Sequence, residues 1–503
     1  MIFLNNVLEY LENIDINNLN GIQDLNNFLS YQDLKKDSKK IGTFLASKIP
    51  ARSPIPIYME KSTKCISLFM GSLYANCFYT LLNTDLPTKR LNDILEVLES
   101  NIILTDYDHL KKAKDYFPNK TIYCYEDMLK TTINLSLLEA RRNTSLSIDP
   151  VYANFTSGST GVPKGVLISH DNIISFIDTF TSTFQITEND CLGNQAPFDF
   201  DVSVKDIYSA LKTGAMLVIV PKEYFSQPAL LLDYLDDYKV TTLIWAVSAL
   251  CLLSSFHGLD YKKPKNINKI FFSGEIMPIK HLNNWLEAYP QAQFVNLYGP
   301  TEITCNCTYY IIDNHQKYDV IPVGKAFLNH QVFLLDNNNL EITAPDIKGE
   351  IIVKSKTVAL GYYNDLVKTK AAFIQNPLNN KYLDIVYKTG DLGYYHDGNL
   401  YFAGRSDFQI KYMGHRIELE EIDKNITNMA NVIRSTTIFI PDKEKLVCFY
   451  VGSIDRKELY TNLKKELPIF MVPTKYYKLD NMPLNKNGKV DRKELKRLYV
   501  ANL

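Results

Sequence analysis

Short β-rich runs separated by helical stretches fill the chain up to about residue 330, and this alternation restricts the fold more than any other feature of the sequence. The runs are "SPIPIYM" (53–59), "NCFYTLL" (76–82), "NIILTDY" (101–107), "TIYCY" (121–125), "AMLVIVP" (215–221), "TTLIWAV" (241–247), "KIFFSGE" (269–275) and "QFVNLYG" (293–299). Strands alternating with helices predict parallel sheets covered by helices, because each parallel crossover needs a connecting helix. The fold class is therefore α/β. Between 320 and 403 the pattern changes to hairpins, with "QVFLLDNNNLEI" built round an Asn-rich turn and "GEIIVKS" and "NLYFAGR" as further strands. A smaller β subdomain is expected there. After "GRSDFQIK", a tail of roughly a hundred residues holds a helix ("ELEEIDKNITNM"), a hairpin ("RSTTIFIPDKEKLVCFYV") and a second helix ("RKELYTNLKKELP"). That size suits a small α+β domain.

With 503 residues, 46% of them hydrophobic and 22% charged, the chain has enough apolar material for two to four domains. A formal net charge of -1 gives no reason to expect a nucleic-acid partner. The eight cysteines are scattered without a CxxC pair, which fits reduced thiols in a cytoplasm. The N-terminus "MIFLNNVLEYLENIDINN" reads as an amphipathic helix rather than a signal peptide. The most apolar stretch, "LIWAVSALCLL" (243–253), is too short to span a bilayer and reads as a strand running into a core helix. Membrane insertion is not expected.

"NFTSGSTGVPKGVLISH" (154–170) gathers glycines, hydroxyls and a lysine in the manner of a phosphate grip. It is not a Walker loop: counting from Gly158, Pro163 stands where the second glycine is required, and Lys164 is followed by Gly165 rather than Ser or Thr. Exposed backbone N–H groups with Ser and Thr hydroxyls still make a concave anion site, against the alternative of a flexible surface loop.

Further polar clusters follow at strand ends: "FDFDVSVKD" (198–206), "FFSGE" (271–275), "NLYGPTE" (296–302), "YKTGDLG" (387–393), "GRSDFQIKYMGHRIELEEI" (404–422) and "NKNGKVDRKEL" (485–495). Their type and order make the chain resemble the adenylate-forming superfamily, specifically the amino-acid-activating adenylation domains of nonribosomal peptide synthesis and the D-alanine:carrier-protein ligases. The resemblance covers nearly the whole chain. It implies a large N-terminal domain (1–404) of two helix-covered, mainly parallel sheets plus a β subdomain (about 320–403). A hinge at 405–408 and a small mobile C-terminal α+β domain (409–503) complete the implied plan.

By motif position, the resemblance implies that Thr156, Ser157, Gly158, Ser159, Thr160 and Gly161 grip the β and γ phosphates of ATP, with Lys164 neutralising the departing pyrophosphate. Gly274 and Glu275 of "FFSGE" and Asn296, Leu297, Gly299 and Pro300 of "NLYGPTE" line the nucleotide site. In the same motif Tyr298 stacks on adenine, Thr301 contacts the α phosphate, and Glu302 helps hold Mg²⁺, a hard cation suited to oxygen ligands. Asp391 accepts the ribose hydroxyls, with Phe402 and Arg405 close by; Asp407 is the hinge residue and Gly414 marks the pantetheine channel. Lys489 bridges the substrate carboxylate and the α phosphate during adenylation, so it is the expected catalytic residue. The bland readings are a core tyrosine, a turn aspartate in Gly-Asp and solvated surface charges.

Asp201 resembles the aspartate that pairs with the α-ammonium of an amino acid; as a local feature it reads equally as the N-cap of the helix "VSVKDIYSALK". The remaining pocket positions are Val202, Lys205, Trp245, Phe271 and Ser273, with Leu297, Cys305 and Asn306. Trp245 and Phe271 would shrink the cavity, and Ser273, Asn306 and Lys205 would add polar contacts. A small amino acid such as serine, alanine or D-alanine is implied, while Lys205 could instead pair with an acidic side chain. Because the chain stops shortly after "DRKEL", the acceptor is expected to be the phosphopantetheine thiol of a separate carrier protein. The alternatives are an acyl-CoA synthetase on the same fold and a non-enzymatic nucleotide-binding protein.

Overall fold

The computed structural model describes residues 4–158, 161–485 and 490–501. The chain divides into two compact units. The first comprises residues 1–83, 100–154 and 166–406; the second comprises 84–99, 155–165 and 407–503.

Every β-rich run of the first 300 residues forms a strand. They divide between two sheets, one of nine strands and one of seven. At the centre of the larger sheet, Cys191–Asn194, Thr242–Ala246, Lys269–Ser273 and Gln293–Tyr298 run parallel, and antiparallel strands close both edges. In the smaller sheet Pro54–Tyr58 lies parallel to Phe78–Leu82 and to Ile102–Thr105. Helices Thr63–Tyr74, His170–Phe184 and Val202–Thr213 contribute their apolar faces to one continuous apolar core shared by both sheets. A second core, with Trp245, Phe272 and Trp285, covers the other face of the nine-stranded sheet. A six-stranded sheet built from residues between 330 and 405 includes the hairpin Ile385–His396 with Asn399–Arg405. Side chains alternate across a strand, so two cores on one sheet explain why these runs are apolar throughout rather than every second residue.

In the second unit, the hairpin Val432–Ile440 with Lys445–Gly452 takes Lys475–Lys478 as a third strand. Leu446, Cys448 and Tyr450 face the helices Leu419–Thr427 and Arg456–Glu466, whereas Val447 and Phe449 face Leu495 and Tyr499 of the last helix. Alternate residues of one strand thus serve two cores.

The N-terminal helix is shorter than its sequence suggests, covering only Leu8–Glu12. Asp15 and Asn18 accept the backbone N–H groups of Asn17 and Asn20 at 2.7 and 2.8 Å, and these local bonds replace helical ones. No helix among the described residues is long and apolar enough to cross a membrane.

His170 opens its helix behind the cap Ser169, buried, and its Nδ1 accepts the N–H of Val7 at 3.2 Å. Burial, helped by the nearby Arg142 charge, lowers its pKa to about 3. The native state therefore refuses a proton that the unfolded chain accepts below about 6.5, so stability is lost as the pH falls below that value. The contribution is about 2 kcal/mol at pH 5. We expect His170→Gln, which can still accept from Val7 but does not titrate, to flatten the fall in unfolding free energy between pH 7 and pH 5 by about that amount. Equal pH slopes for both proteins in urea denaturation would contradict this.

Candidate active site

The central strands of the nine-stranded sheet end side by side, with Ala246, Ser273 and Leu297 in register at their carboxyl ends. Crevices at the carboxyl ends of parallel strands are where open α/β sheets bind ligands. Register also decides which side chains share a face: Ile244 and Phe271 lie with Val295 on one side, while Trp245 and Phe272 point to the other.

Trp245 is therefore not among the residues gathered with Ser273. Its indole N–H donates to the Gly193 carbonyl at 2.7 Å and its rings pack on Phe225, inside the second core. Ile244, one residue earlier, shares the face of Phe271, and a strict two-residue period along "TLIWA" contains that signal. Phe271 is packed against Phe184 and Phe180, with ring centroids 4.8 and 5.9 Å away.

Asp201 occupies the N-cap of the helix Val202–Thr213, with helical backbone angles and no side-chain capping bond. The capping role open to it in the sequence is thus not the one its carboxylate fills. The Cys305 thiol donates to the Asp201 carbonyl at 3.1 Å. One turn along the helix, the Nζ of Lys205 donates to Asn306 Oδ1 at 2.8 Å and to Ser273 Oγ at 3.4 Å. Asp201, Lys205, Ser273, Cys305 and Asn306 are thus one cluster, with Val202 buried beside it on the helix. Tyr152, unnoticed in the sequence, is buried with no hydrogen-bond partner for its hydroxyl among the described residues, and burial first of all raises its pKa.

The backbone that carries Cys305 is strained. Thr304 and Cys305 both adopt left-handed angles, φ 54° and 77°, which are unusual for side-chain-bearing residues and notably so for a β-branched one. The Thr304 hydroxyl holds the loop by donating to the Thr357 carbonyl at 2.7 Å. Opposite it, Gly299 must lack a side chain, because a Cβ there would stand 2.5 Å from Asn306 Cα. Such strain costs of order 1–3 kcal/mol and persists where a site requires the geometry.

Farther along "NLYGPTE", the Tyr298 hydroxyl donates to Asp391 Oδ2 at 2.7 Å, and Arg405 pairs with the other carboxylate oxygen. Burial first, and the Asp391 charge second, push the Tyr298 pKa well up, so the phenol keeps its proton. The Phe402 ring centroid lies 6.4 Å from that of Tyr298. Asn296 donates to the Pro322 carbonyl at 2.8 Å. Glu302 is fully buried and accepts from the Tyr362 hydroxyl at 2.8 Å, with Pro300 and Thr301 leading into its short turn. Gly274 has φ 99°, and no atom lies within 4 Å of where its Cβ would be, so the backbone at "SGE", including Glu275, is open to close approach.

The glycine-rich loop belongs to the second unit. Its Ser157 hydroxyl donates to the Arg416 carbonyl at 2.6 Å and accepts from the Glu418 N–H at 3.2 Å. Gly158 N–H donates to Glu421 Oε2 at 3.2 Å, and Lys164 lies 3.6 Å from the Glu418 carboxylate. Arg90 completes the set, pairing with Glu421 at 2.7 Å in a buried contact. Burial raises the Glu421 pKa while the Arg90 charge opposes the rise. Gly161 turns the loop with φ 83°, Gly414 turns the strand pair Gln409–Tyr412 and His415–Glu418 with φ 79°, and Asp407 accepts the Gln409 N–H at 3.1 Å. Thr156 is half-buried, with its hydroxyl unpartnered among the described residues. Ser159, Thr160 and Lys489 lie outside the described residues.

Helix-covered parallel sheets, a buried carboxylate held between a tyrosine and an arginine, and a glycine-rich loop that already binds carboxylates define a nucleotide-handling α/β enzyme. The AMP-binding enzyme model matches residues 16–363, and the chain belongs to that family: it is an adenylate-forming ligase. It is 30% identical over 481 residues to a D-alanine--D-alanyl carrier protein ligase of Staphylococcus haemolyticus (strain JCSC1435), covering 93% of each protein. Tyrocidine synthase 3 of Brevibacillus parabrevis is 31% identical over 474 residues, which make up 93% of this chain and 7% of that protein. Among solved structures, the Vibrio cholerae adenylation domain AlmE in complex with glycyl-adenosine-5'-phosphate superposes with a TM-score of 0.84 at 21% identity, over 100% of this chain and 99% of that one.

Asp391 and Arg405 form a buried ion pair, and removing one partner of such a pair costs about 3–5 kcal/mol, whereas the hydrogen bond from Tyr298 to this charged carboxylate contributes about 1.5–3 kcal/mol. Asp391→Ala is expected to destabilise the first unit by about 1–3 kcal/mol more than Tyr298→Phe, measured by chemical denaturation. Equal losses for the two variants would contradict the assignment of Arg405 as the main partner.

Proposed function

We propose that the chain activates an α-amino acid as its aminoacyl adenylate and then passes the aminoacyl group to the phosphopantetheine thiol of a separate carrier protein. In the first step an oxygen of the substrate carboxylate attacks the α phosphorus of ATP. The bond from that phosphorus to the bridging oxygen breaks, and its electron pair leaves with pyrophosphate. In the second, the thiolate attacks the acyl carbon of the mixed anhydride, and AMP leaves with the electron pair of the broken C–O bond.

The observation that carries the amine half of this reading is Asp201, a carboxylate at a helix start where no side-chain capping bond employs it. An α-ammonium beside it would meet a charge of opposite sign. Tyr298 and Asp391 serve the nucleoside: each carboxylate oxygen of Asp391 accepts one bond from the protein, and a carboxylate oxygen has lone pairs for a second, here from ribose. For the departing phosphates, the support is that Gly158 and Lys164 already engage carboxylates, the same charge type. Glu302 suits Mg²⁺ in donor chemistry, since that ion takes oxygen ligands, keeps several waters and uses one or two carboxylates together with substrate phosphates. Bound there, it would neutralise phosphate charge. Lys489 is the proposed cation at the attacked phosphate, worth on the order of 3 kcal/mol as a preorganised electrostatic group. The carrier-protein acceptor draws support from the relative in Staphylococcus haemolyticus, whose name specifies a carrier protein ligase.

ATP–pyrophosphate exchange is expected to depend on an added α-amino acid and to persist with no coenzyme A. Lys489→Ala is expected to reduce exchange at least a hundredfold while ATP binding stays measurable. Asp201→Asn is expected to raise KM for the amino acid by a factor of ten or more with KM for ATP little changed. Exchange driven equally well by simple fatty or aryl acids would replace this reading with an acyl-CoA synthetase.

A further inference from the structure

Lys205 is 1% exposed, on the helix that starts at Asp201, and its ammonium contacts only neutral oxygens, Asn306 Oδ1 and Ser273 Oγ. No carboxylate comes within salt-bridge distance of it among the described residues. The charged group next along the helix, Asp206, has its own arrangement. Its Oδ2 accepts from Asn194 at 2.8 Å, and the oxygen of the same amide accepts from Lys61 at 3.2 Å. Asn194 thus ties Asp206 to Lys61. Burial lifts the Asp206 pKa to about 7 although the Asn194 bond and the charges of Lys205 and Lys61 oppose the rise, so it is a weak counter-charge for its neighbour. Asp201, four residues back, is the carboxylate reserved for the substrate amine in the reading above. An ammonium in this position, removed from water and given two dipoles instead of an anion, carries a large desolvation cost that a carboxylate of opposite charge would offset.

We propose that Lys205 reads a carboxylate on the substrate side chain, so that the amino acid activated is an acidic one, an α-amino dicarboxylic acid; this rests on the α-amino acid reading. Asp201 and Lys205 are four residues apart, one helical turn, and so lie on the same side of the helix, where one small molecule can meet both. Asn306 and Ser273 hold the ammonium in place from the strained loop and from the strand end. They also add an amide N–H₂ and a hydroxyl, both able to donate to the second carboxylate oxygen. A neutral substrate such as serine or alanine would leave the lysine in direct contact with neutral oxygens only, with Asp206 acting on it from beyond hydrogen-bond distance.

The test is ATP–pyrophosphate exchange with the full chain across the L and D forms of aspartate, glutamate, asparagine, glutamine, serine and alanine. An acidic amino acid is expected to exceed its own amide in kcat/KM by about a hundredfold or more. Lys205→Met, of similar length without charge, is expected to bring that ratio to within a few-fold of one. Should that variant lose its fold, judged by its thermal midpoint, the wild-type panel decides alone. A second readout is equilibrium binding of aspartyl- and asparaginyl-sulfamoyl adenosine, with the acidic analogue expected to bind the wild type more tightly. Preference for a neutral amino acid overturns this proposal and leaves amino acid activation standing. Exchange that depends on no amino acid overturns both.

Discussion

The buried carboxylate of Asp391 is the contact on which the large unit's functional geometry depends. It lies on the hairpin of the six-stranded sheet, where Arg405, its register partner on the return strand, neutralises it, and Tyr298 at the end of a central strand of the nine-stranded sheet donates to it. A buried charge must be paired, so this carboxylate fixes two sheets and one motif in a single arrangement. "NLYGPTE" then turns sharply at Gly299, and the same turn orders Glu302 on one side and the Thr304–Asn306 loop on the other. In the proposed function, nucleotide and acid substrate would both be positioned from this one short segment.

Much of this was legible in the sequence. The β-rich runs became strands because each fills a place between helices, and motif order pointed to the family. What remained unreadable was direction. "TLIWA" gave Trp245 as pocket lining, yet its register with Phe272 turns the indole into the other core and leaves Ile244 on the Ser273 face. The Asp201 capping alternative was likewise undecidable from residue type, since only backbone angles and hydrogen bonds separate a cap from a carboxylate held for another purpose. Tyr152, Tyr362 and Thr357 carry no motif. The partners of Tyr362 and Thr357 lie far away in sequence, and the burial of Tyr152 is a tertiary property, so all three emerge only once the chain is folded.

In the second unit, the glycine-rich loop shows a different logic. Ser157, Gly158 and Lys164 engage backbone and carboxylate groups of the segment 416–421, with Arg90 closing the pair to Glu421. A backbone N–H and an ammonium that meet carboxylates are donor types that also serve phosphates. The sequence departs from the Walker pattern, and in the structure the loop meets carboxylates through the Gly158 N–H and the Lys164 ammonium.

The central claim, that an adenylate forms on an acid bearing an α-amine, is tested most directly by trapping the activated acyl group. With ATP, Mg²⁺ and hydroxylamine, mass spectrometry should detect an aminoacyl hydroxamate from an α-amino acid and essentially none from the same acid lacking its amine. Equal hydroxamate yields from the amino acid and its desamino analogue would contradict the account.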